Sequence, residues 1–305
     1  MSIYALALHG GAGTILRSEM SADSEASHTA ALRRALEAGE QILRAGGSAL
    51  RAVEAVVCSL EDCEHFNAGR GSVFTHGGRH EMDASIMCGA TLNAGAVAMV
   101  EGVKNPVKLA RLVMERSEHV FLCAQGADAF AEEVGVERAG PEYFFSEFRY
   151  RQLEQARAKS RVQLDHSDKH GTVGAVALDE SGHLAAATST GGLTNKRYGR
   201  IGDSSVIGAG TYANDLTCAV SCTGFGEFFL RGVVAYDVSC LMEYQGLSLQ
   251  AACDLVIHQK QLQLGGDGGL IAVDAKGNVA LPFNSKGMYR AWVKKGKASQ
   301  VEIYG

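Results

Sequence analysis

HGTVGAVALD, residues 170–179, places a threonine directly behind a glycine and then runs through small and apolar residues. The stretch before it, ARAKSRVQLDHSDK (156–169), is polar, with Val162 and Leu164 its only large apolar side chains. Such a composition cannot build a core, so 157–170 is expected to be a disordered linker. A structureless run of that length inside a compact domain is often functional. Two readings of the boundary compete. β-Branched Thr172 simply opens a strand. Alternatively, the Thr172 hydroxyl attacks the Gly171 carbonyl and breaks the bond between them. That frees an N-terminal threonine whose α-amine, with a pKa of about 7.7–8.0, serves as its own base. Glycine ahead of the bond tolerates the strained backbone such an attack needs. The dipeptide alone favours the plain strand.

Outward from this point, TVGAVALDESGHLAAATSTGG (172–192) reads as two strands around a turn at Asp179–Gly182. GGLIAVDAKGNVALPF (268–283) repeats the pattern around Asp274–Gly277. Near-continuous apolarity predicts strands covered on both faces. IYALAL (3–8) is a further buried strand, ending in an HGGAG turn. Helical spacing marks 27–44, 48–63 with Ser48 as N-cap, and 105–117 with Asn105 as cap and Pro106 at the first helical position. Four more helical patterns lie at 126–135, 146–160, 227–244 and 248–259. Two blocks of strands with helices outside them predict a layered α/β (α+β) sandwich, formed by one domain over 1–305.

The chain has 305 residues, is 46% hydrophobic and carries a formal net charge of −5. That is ample for a core, and it leaves no basic footprint for nucleic acid. No run of 18 apolar residues occurs, so no membrane span is expected. MSIYALALHGGAG lacks the charged n-region of a secretory signal, and a cytoplasmic protein is expected. The eight cysteines form no CxxC pair and do not cluster with histidines, which speaks for reduced thiols rather than a zinc site.

Three stretches carry candidate chemistry. In TSTGGLTNKRYGRIGDSS (188–205), the hairpin returns Thr188 or Thr190 beside Thr172. Arg200 and Asp203 in the same loop suit the carboxylate and ammonium of an amino-acid-like substrate, although a solvated charged loop has a similar composition. SCTGFGEFFLR (221–231) runs from strand through Thr-Gly-x-Gly into helix, where backbone N–H groups and a threonine hydroxyl make oxyanion donors. FNAGRGSVFTHGGRHEMDASIMCG (66–89) reads as a loop around Asn67 and Asp83. HGGAG and GAGTYAND lack the G-x-G-x-x-G spacing of a dinucleotide site.

Taken together, HGGAG, FNAGRGSVF, MDASIM, GTVGAVALD, TSTGGLTNKRYGRIGDSS, SCTGFGE and GGLIAVDAKGNVALPFN resemble the plant-type L-asparaginases, or isoaspartyl peptidases, in order from about residue 4 to about residue 292. The resemblance implies an N-terminal-nucleophile (Ntn) hydrolase with a four-layer αββα sandwich. It implies self-cleavage between Gly171 and Thr172 into an α subunit (1–171) and a β subunit (172–305), and dimers of such αβ units. Carried over by motif, Thr172 is the nucleophile, Thr190 hydrogen-bonds its hydroxyl, and Thr223 with the Gly224 N–H forms the oxyanion hole. Arg200 takes the substrate α-carboxylate, and Asp203 with the Gly226 carbonyl takes the α-ammonium. Asn67 orients the Thr172 amine. The loop at 60–70 is similar to the family's sodium loop, whose ligands would be the main-chain carbonyls of Leu60, Glu61, Cys63, Phe66, Ala68 and Arg70. No cofactor for catalysis is implied. The substrates implied are L-asparagine and β-aspartyl dipeptides, hydrolysed through a β-aspartyl-Thr172 ester.

The chain departs from relatives at Arg70 and Cys88, in its shorter linker before Thr172, and at Phe225, the variable position of CTGxGE. Glycosylasparaginases carry Asp before the nucleophile where this chain has Gly171. Two rival readings remain at this level: an inactive binding or storage protein on the same fold, and a nucleotide-binding α/β protein resting on HGGAG alone.

Overall fold

The computed structural model describes residues 3–159 and 171–305. Among them an eight-stranded sheet contains β1 (Ala5–Gly13), β2 (Met82–Cys88), β3 (Ala94–Val100), β4 (Phe121–Cys123), β5 (Val173–Leu178), β6 (Leu184–Thr190), β11 (Gly287–Lys294) and β12 (Gln300–Tyr304). Its order is β12-β11-β1-β5-β6-β2-β3-β4. A four-stranded sheet, β10-β9-β8-β7, contains β7 (Thr211–Ala213), β8 (Cys218–Gly224), β9 (Gly268–Asp274) and β10 (Val279–Ala280). The helices before residue 160 are α1 (Ala22–Arg44), α2 (Ala49–Glu61), α3 (Pro106–Arg116), α4 (Ala124–Glu133), α5 (Pro141–Phe144) and α6 (Glu147–Ala158). Those after residue 171 are α7 (Gly226–Gly232), α8 (Val234–Gln245), α9 (Leu249–Leu255) and α10 (Leu262–Leu264), with a π-helical turn at Val256–Gln261 between the last two.

Three separate apolar clusters show why the strands lack polar alternation. Leu32, Leu36, Val53 and Val56 of α1 and α2 pack with Leu6, Leu8 and Ala175 of the large sheet. Val238, Leu249 and Val256 pack with Val220 and Leu270 of the small one. Between the sheets, Ala5, Ala7, Val176 and Ala186 meet Ala219, Ile271 and Val273. Each central strand thus buries both faces, as its continuous apolarity predicts. The layers are helix, sheet, sheet, helix, the αββα sandwich that the resemblance implies.

The two D-x-x-G turns close alike. Asp179 Oδ1 accepts the N–H groups of Ser181 and His183, and Asp274 Oδ1 those of Lys276 and Asn278. Ser48 caps α2 through the Arg51 N–H, whereas Asn105 makes no side-chain cap bond to α3.

Four expectations need correction. HGGAG is not a turn: it continues β1, whose pairing with β11 slips between His9 and Gly11. The stretch 66–89 is not all loop, because Met82–Cys88 pairs with β6 and β3 in the sheet interior. The pattern at 227–244 is two helices, broken at Val233, which adopts φ +47°. Residues 157–158 end α6, and most of the expected linker, 160–170, lies outside the described residues.

Candidate active site

β5 and β6 pair Val173 with Ser189 and Gly174 with Thr188. The hairpin register therefore sets Thr172 opposite Thr190, at the ends of two central strands. Thr172 Oγ1 donates to Thr190 Oγ1 at 3.1 Å and lies 3.5 Å from Ser204 Oγ. Thr190 Oγ1 also accepts the Gly192 N–H at 3.0 Å, which ties the following loop to the same hydroxyl.

The backbone of Thr172 is held by a buried histidine. His9 lies within 3.0 Å of the Thr172 carbonyl through Nδ1 and 3.0 Å of Ser221 Oγ through Nε2. A carbonyl only accepts, so Nδ1 carries the proton and Nε2 accepts from Ser221. Burial holds His9 neutral, its pKa lowered to about 3 despite the Thr172 bond. The hydroxyls of Thr188 and Thr211 continue this network between the sheets. Gly174 makes room for it: a Cβ there would sit 2.0 Å from Ser221 Oγ and 2.5 Å from His9 Nε2.

β8 delivers Thr223, buried, with Gly224 closing the strand before α7. Thr223 Oγ1 accepts the Ala12 N–H at 3.2 Å, which leaves its own proton to donate. A Cβ on Gly171 would lie 3.1 Å from Thr223 Oγ1, so this hydroxyl stands over the Gly171–Thr172 junction. Gly11, at φ +112°, presses on Gly171 from the same side, its Cα 3.2 Å from that Cβ position. Any side chain on Gly11 would meet Gly171 N at 2.4 Å and Gly171 Cα at 2.6 Å.

Arg200 and Asp203 line the same cavity as Gly171, Thr172 and Thr190. The cavity is small, ≈ 30 Å³, room for no more than a few water molecules, and Gly171 forms part of its wall. Asp203 is buried and its Oδ2 has no hydrogen-bond partner. Desolvation raises its pKa to about 7, against the lowering effect of Arg200. Arg200 is held by a bidentate pair, Nε to Glu227 Oε1 at 2.9 Å and Nη2 to Glu227 Oε2 at 2.7 Å. Gly226 separates the two anchors: its Cβ would fall 2.7 Å from Arg200 Nη2 and 2.9 Å from Asp203 Oδ1.

Asn67 also lines the cavity, with both ends of its amide engaged in building the wall. Nδ2 donates to the Gly192 carbonyl at 2.8 Å, and Oδ1 accepts the Val73 N–H at 3.0 Å. The stretch 60–70 follows the end of α2 and carries Asn67 into the cavity wall. Carbonyls of Glu61, Glu64 and Phe66 crowd the places where side chains of Gly69 and Gly71 would stand, 2.1–2.7 Å from those Cβ positions. Among the described residues no three His, Cys, Asp or Glu side chains converge on a metal position. No described helix is long and apolar enough to cross a membrane.

Sequence reasoning brought Thr172, Thr190, Thr223, Gly224, Arg200, Asp203, Gly226 and Asn67 into one list, and the fold gathers them around one cavity or its floor. It missed His9, Ser204, Ser221 and Glu227. His9 had a visible signal in HGGAG, and Glu227 in the acid closing SCTGFGE. Ser204 and Ser221 had none, because a buried serine reads like any small strand or loop residue.

The family model described as Asparaginase matches residues 2–303. The isoaspartyl peptidase of Salmonella typhimurium is 54% identical over 311 residues, covering 100% of this chain and 99% of that one. The isoaspartyl peptidase of Escherichia coli is 54% identical, covering 98% and 95%. The human isoaspartyl peptidase/L-asparaginase is 45% identical, covering 94% and 92%. With a threonine at the head of a central strand of an αββα sandwich, and a match along nearly its whole length, the chain belongs to the asparaginase family of Ntn hydrolases.

Proposed function

We propose that the protein is a self-processing threonine hydrolase acting on β-aspartyl dipeptides and, less efficiently, on L-asparagine. The observation that carries this reading is the placement of Thr172 Oγ1, 3.1 Å from Thr190 Oγ1, in a cavity that also holds Arg200 and Asp203, whose Oδ2 has no hydrogen-bond partner. The names of the relatives support the same chemistry.

In the first stage Thr172 Oγ1 attacks the Gly171 carbonyl carbon. The C–N bond breaks, the hydroxyl proton passes to the departing nitrogen, and water hydrolyses the ester. The products are the Gly171 carboxylate and the free Thr172 amine. Removal of Gly171 from the cavity opens it to substrate. In the second stage the amine takes the Oγ1 proton, and Oγ1 attacks the β-carbonyl of the aspartyl group. Thr223 and the Gly224 N–H receive the developing oxyanion, an interaction whose loss typically slows such reactions about 10²–10³-fold. The amine or ammonia leaves with the proton, and water releases L-aspartate. Arg200 takes the α-carboxylate, and Asp203 with the Gly226 carbonyl takes the α-ammonium.

The carbonyl-only donor set at 60–70 suits a hard monovalent cation such as sodium. Leu60, Glu61, Cys63, Phe66, Ala68 and Arg70 would hold it, and it would stiffen the loop that carries Asn67. The functional unit is proposed as a homodimer of αβ units. Intact-mass spectrometry and a comparison of β-aspartyl-leucine with L-asparagine test the reading. Two chains and a higher specificity constant for the dipeptide are expected. A single 32.2 kDa species after prolonged incubation refutes self-processing, and a strong preference for asparagine refutes the substrate order.

A further inference from the structure

The amino-acid anchor has a component that neither the motif transfer nor the reaction assigns. Arg200 has five N–H donors, and Glu227 occupies both its Nε and its Nη2 in a fork. Three backbone segments close around the rest of the guanidinium. A Cβ on Gly202 would lie 2.9 Å from Arg200 Nη1, one on Gly192 3.5 Å from it, and one on Gly226 2.7 Å from Nη2. The guanidinium therefore has one plane and one free end. That end, Nη1, lies beside Gly192 and Gly202, which both line the cavity over Thr172.

We propose that Glu227 is a positioning residue that fixes Arg200 and, through Arg200 and Asp203, sets the affinity and the pH window for the α-amino-acid head of the substrate. The inference rests on the proposed hydrolysis of aspartyl substrates. Glu227 touches no reacting atom; it works by geometry and by charge. A bidentate carboxylate holds the fork so that Nη1 points along the cavity, and a substrate carboxylate meets it end-on rather than fork to fork. Glu227 also draws part of the field of Arg200 away from Asp203.

The charged groups acting on Asp203 are Arg200, Glu227 and Asp83. Burial and the two acids push its pKa up, and Arg200 pulls it down. An anchor for an ammonium group has to be ionised. The specificity constant should consequently rise with pH through about 7, as Asp203 loses its proton. The free Thr172 amine supplies a second ionisation near 7.7–8.0. The free enzyme should show both steps in kcat/KM, whereas kcat should show the amine alone once substrate holds Asp203 ionised.

The test is Glu227→Gln in the full-length, self-processed protein, with β-aspartyl-leucine as substrate. Removing the acid lowers the Asp203 pKa and frees Arg200 to approach it, and both effects move the acid limb of kcat/KM to lower pH. KM at pH 8 should rise about 10-fold or more, with kcat within about two-fold, because only the binding of the head is loosened. Glu227→Asp should recover part of the lost affinity. An unmoved acid limb, or a fall in kcat at unchanged KM, overturns the proposal. Should wild type hydrolyse neither β-aspartyl-leucine nor L-asparagine, the proposed function fails. Normal wild-type turnover with an unaltered Glu227→Gln variant sinks only the role of Glu227.

Discussion

At the residue scale, the site depends on hydroxyls whose partners fix where their protons go. Thr172→Ala removes the proposed nucleophile, so the chain should stay whole and inactive by intact mass and by turnover. Thr172→Ser keeps the oxygen and should still cleave, more slowly, because it lacks the methyl group that limits rotation of the hydroxyl. Thr223→Ala removes one of the proposed oxyanion donors and should lower kcat about 10²–10³-fold with little change in KM. Asp203 shows a conflict between binding and stability. Its folded pKa of about 7 lies above the ordinary aspartate value of 3.8, so between those values the folded state keeps a proton that the unfolded chain has lost. Stability from this group is greatest below about 3.8 and declines as pH rises through about 7. Asp203→Asn should therefore raise the melting temperature more at pH 8 than at pH 5, while abolishing binding of L-aspartate in calorimetry.

At the element scale, the hairpin β5–β6 is both the centre of the large sheet and the mount of Thr172. Its register follows from the apolar strands and the Asp179 turn, which the sequence displays openly. Its first turn of packing does not. Gly174 is glycine because the His9–Ser221 bridge occupies the space of its side chain. Gly174→Ala should cost about 1–3 kcal/mol by overpacking, read as a lower midpoint in urea, and should slow self-cleavage. Val233 is the opposite case. A half-exposed β-branched residue at φ +47° breaks what looks like one long helix, and Val233→Gly should stabilise by roughly 1 kcal/mol. HGGAG was misread as a turn because glycine density signals flexibility. Here glycine serves a strand that passes tightly against Gly171 and Phe66. β2 was missed because its charged and polar residues, Asp83 and Ser85, break the apolar run. Each finds its partner only in the fold: Asp83 accepts the Met99 N–H, and Ser85 donates to the Ser204 carbonyl.

At the scale of the whole molecule, the segments on either side of the Gly171–Thr172 bond are interleaved. β1 lies between β11 and β5, and β2 pairs with β6. Residues before and after the Gly171–Thr172 bond thus share three ladders of the large sheet, and the clusters on both of its faces draw on both segments. Separation would expose all of that surface at once. The two chains should co-elute in native size exclusion and separate only in denaturant. Elution of either fragment alone in native buffer would contradict the topology.

What the sequence determined by itself was local: periodicity, turn residues and the order of the motifs. Those suffice to place strands and helices, and the resemblance of seven ordered stretches points to the αββα sandwich and to Thr172, Arg200, Asp203 and Thr223. Thr172 and Thr223 sit at strand ends and Arg200 and Asp203 in the loop between β6 and β7, where the chemistry of the side chain and its place in a motif can both be read. The tertiary structure alone decided which polar groups meet. His9 reaches Thr172 across 163 positions and Ser221 across 212, and Glu227 reaches Arg200 across 27. No periodicity encodes such pairs. The His9 contacts exist because two sheets pack face to face and bury hydroxyls and an imidazole where water cannot satisfy them, so that each must find its partner in the protein. The half-exposed Glu227 meets Arg200 where the loop after β6 packs against the start of α7.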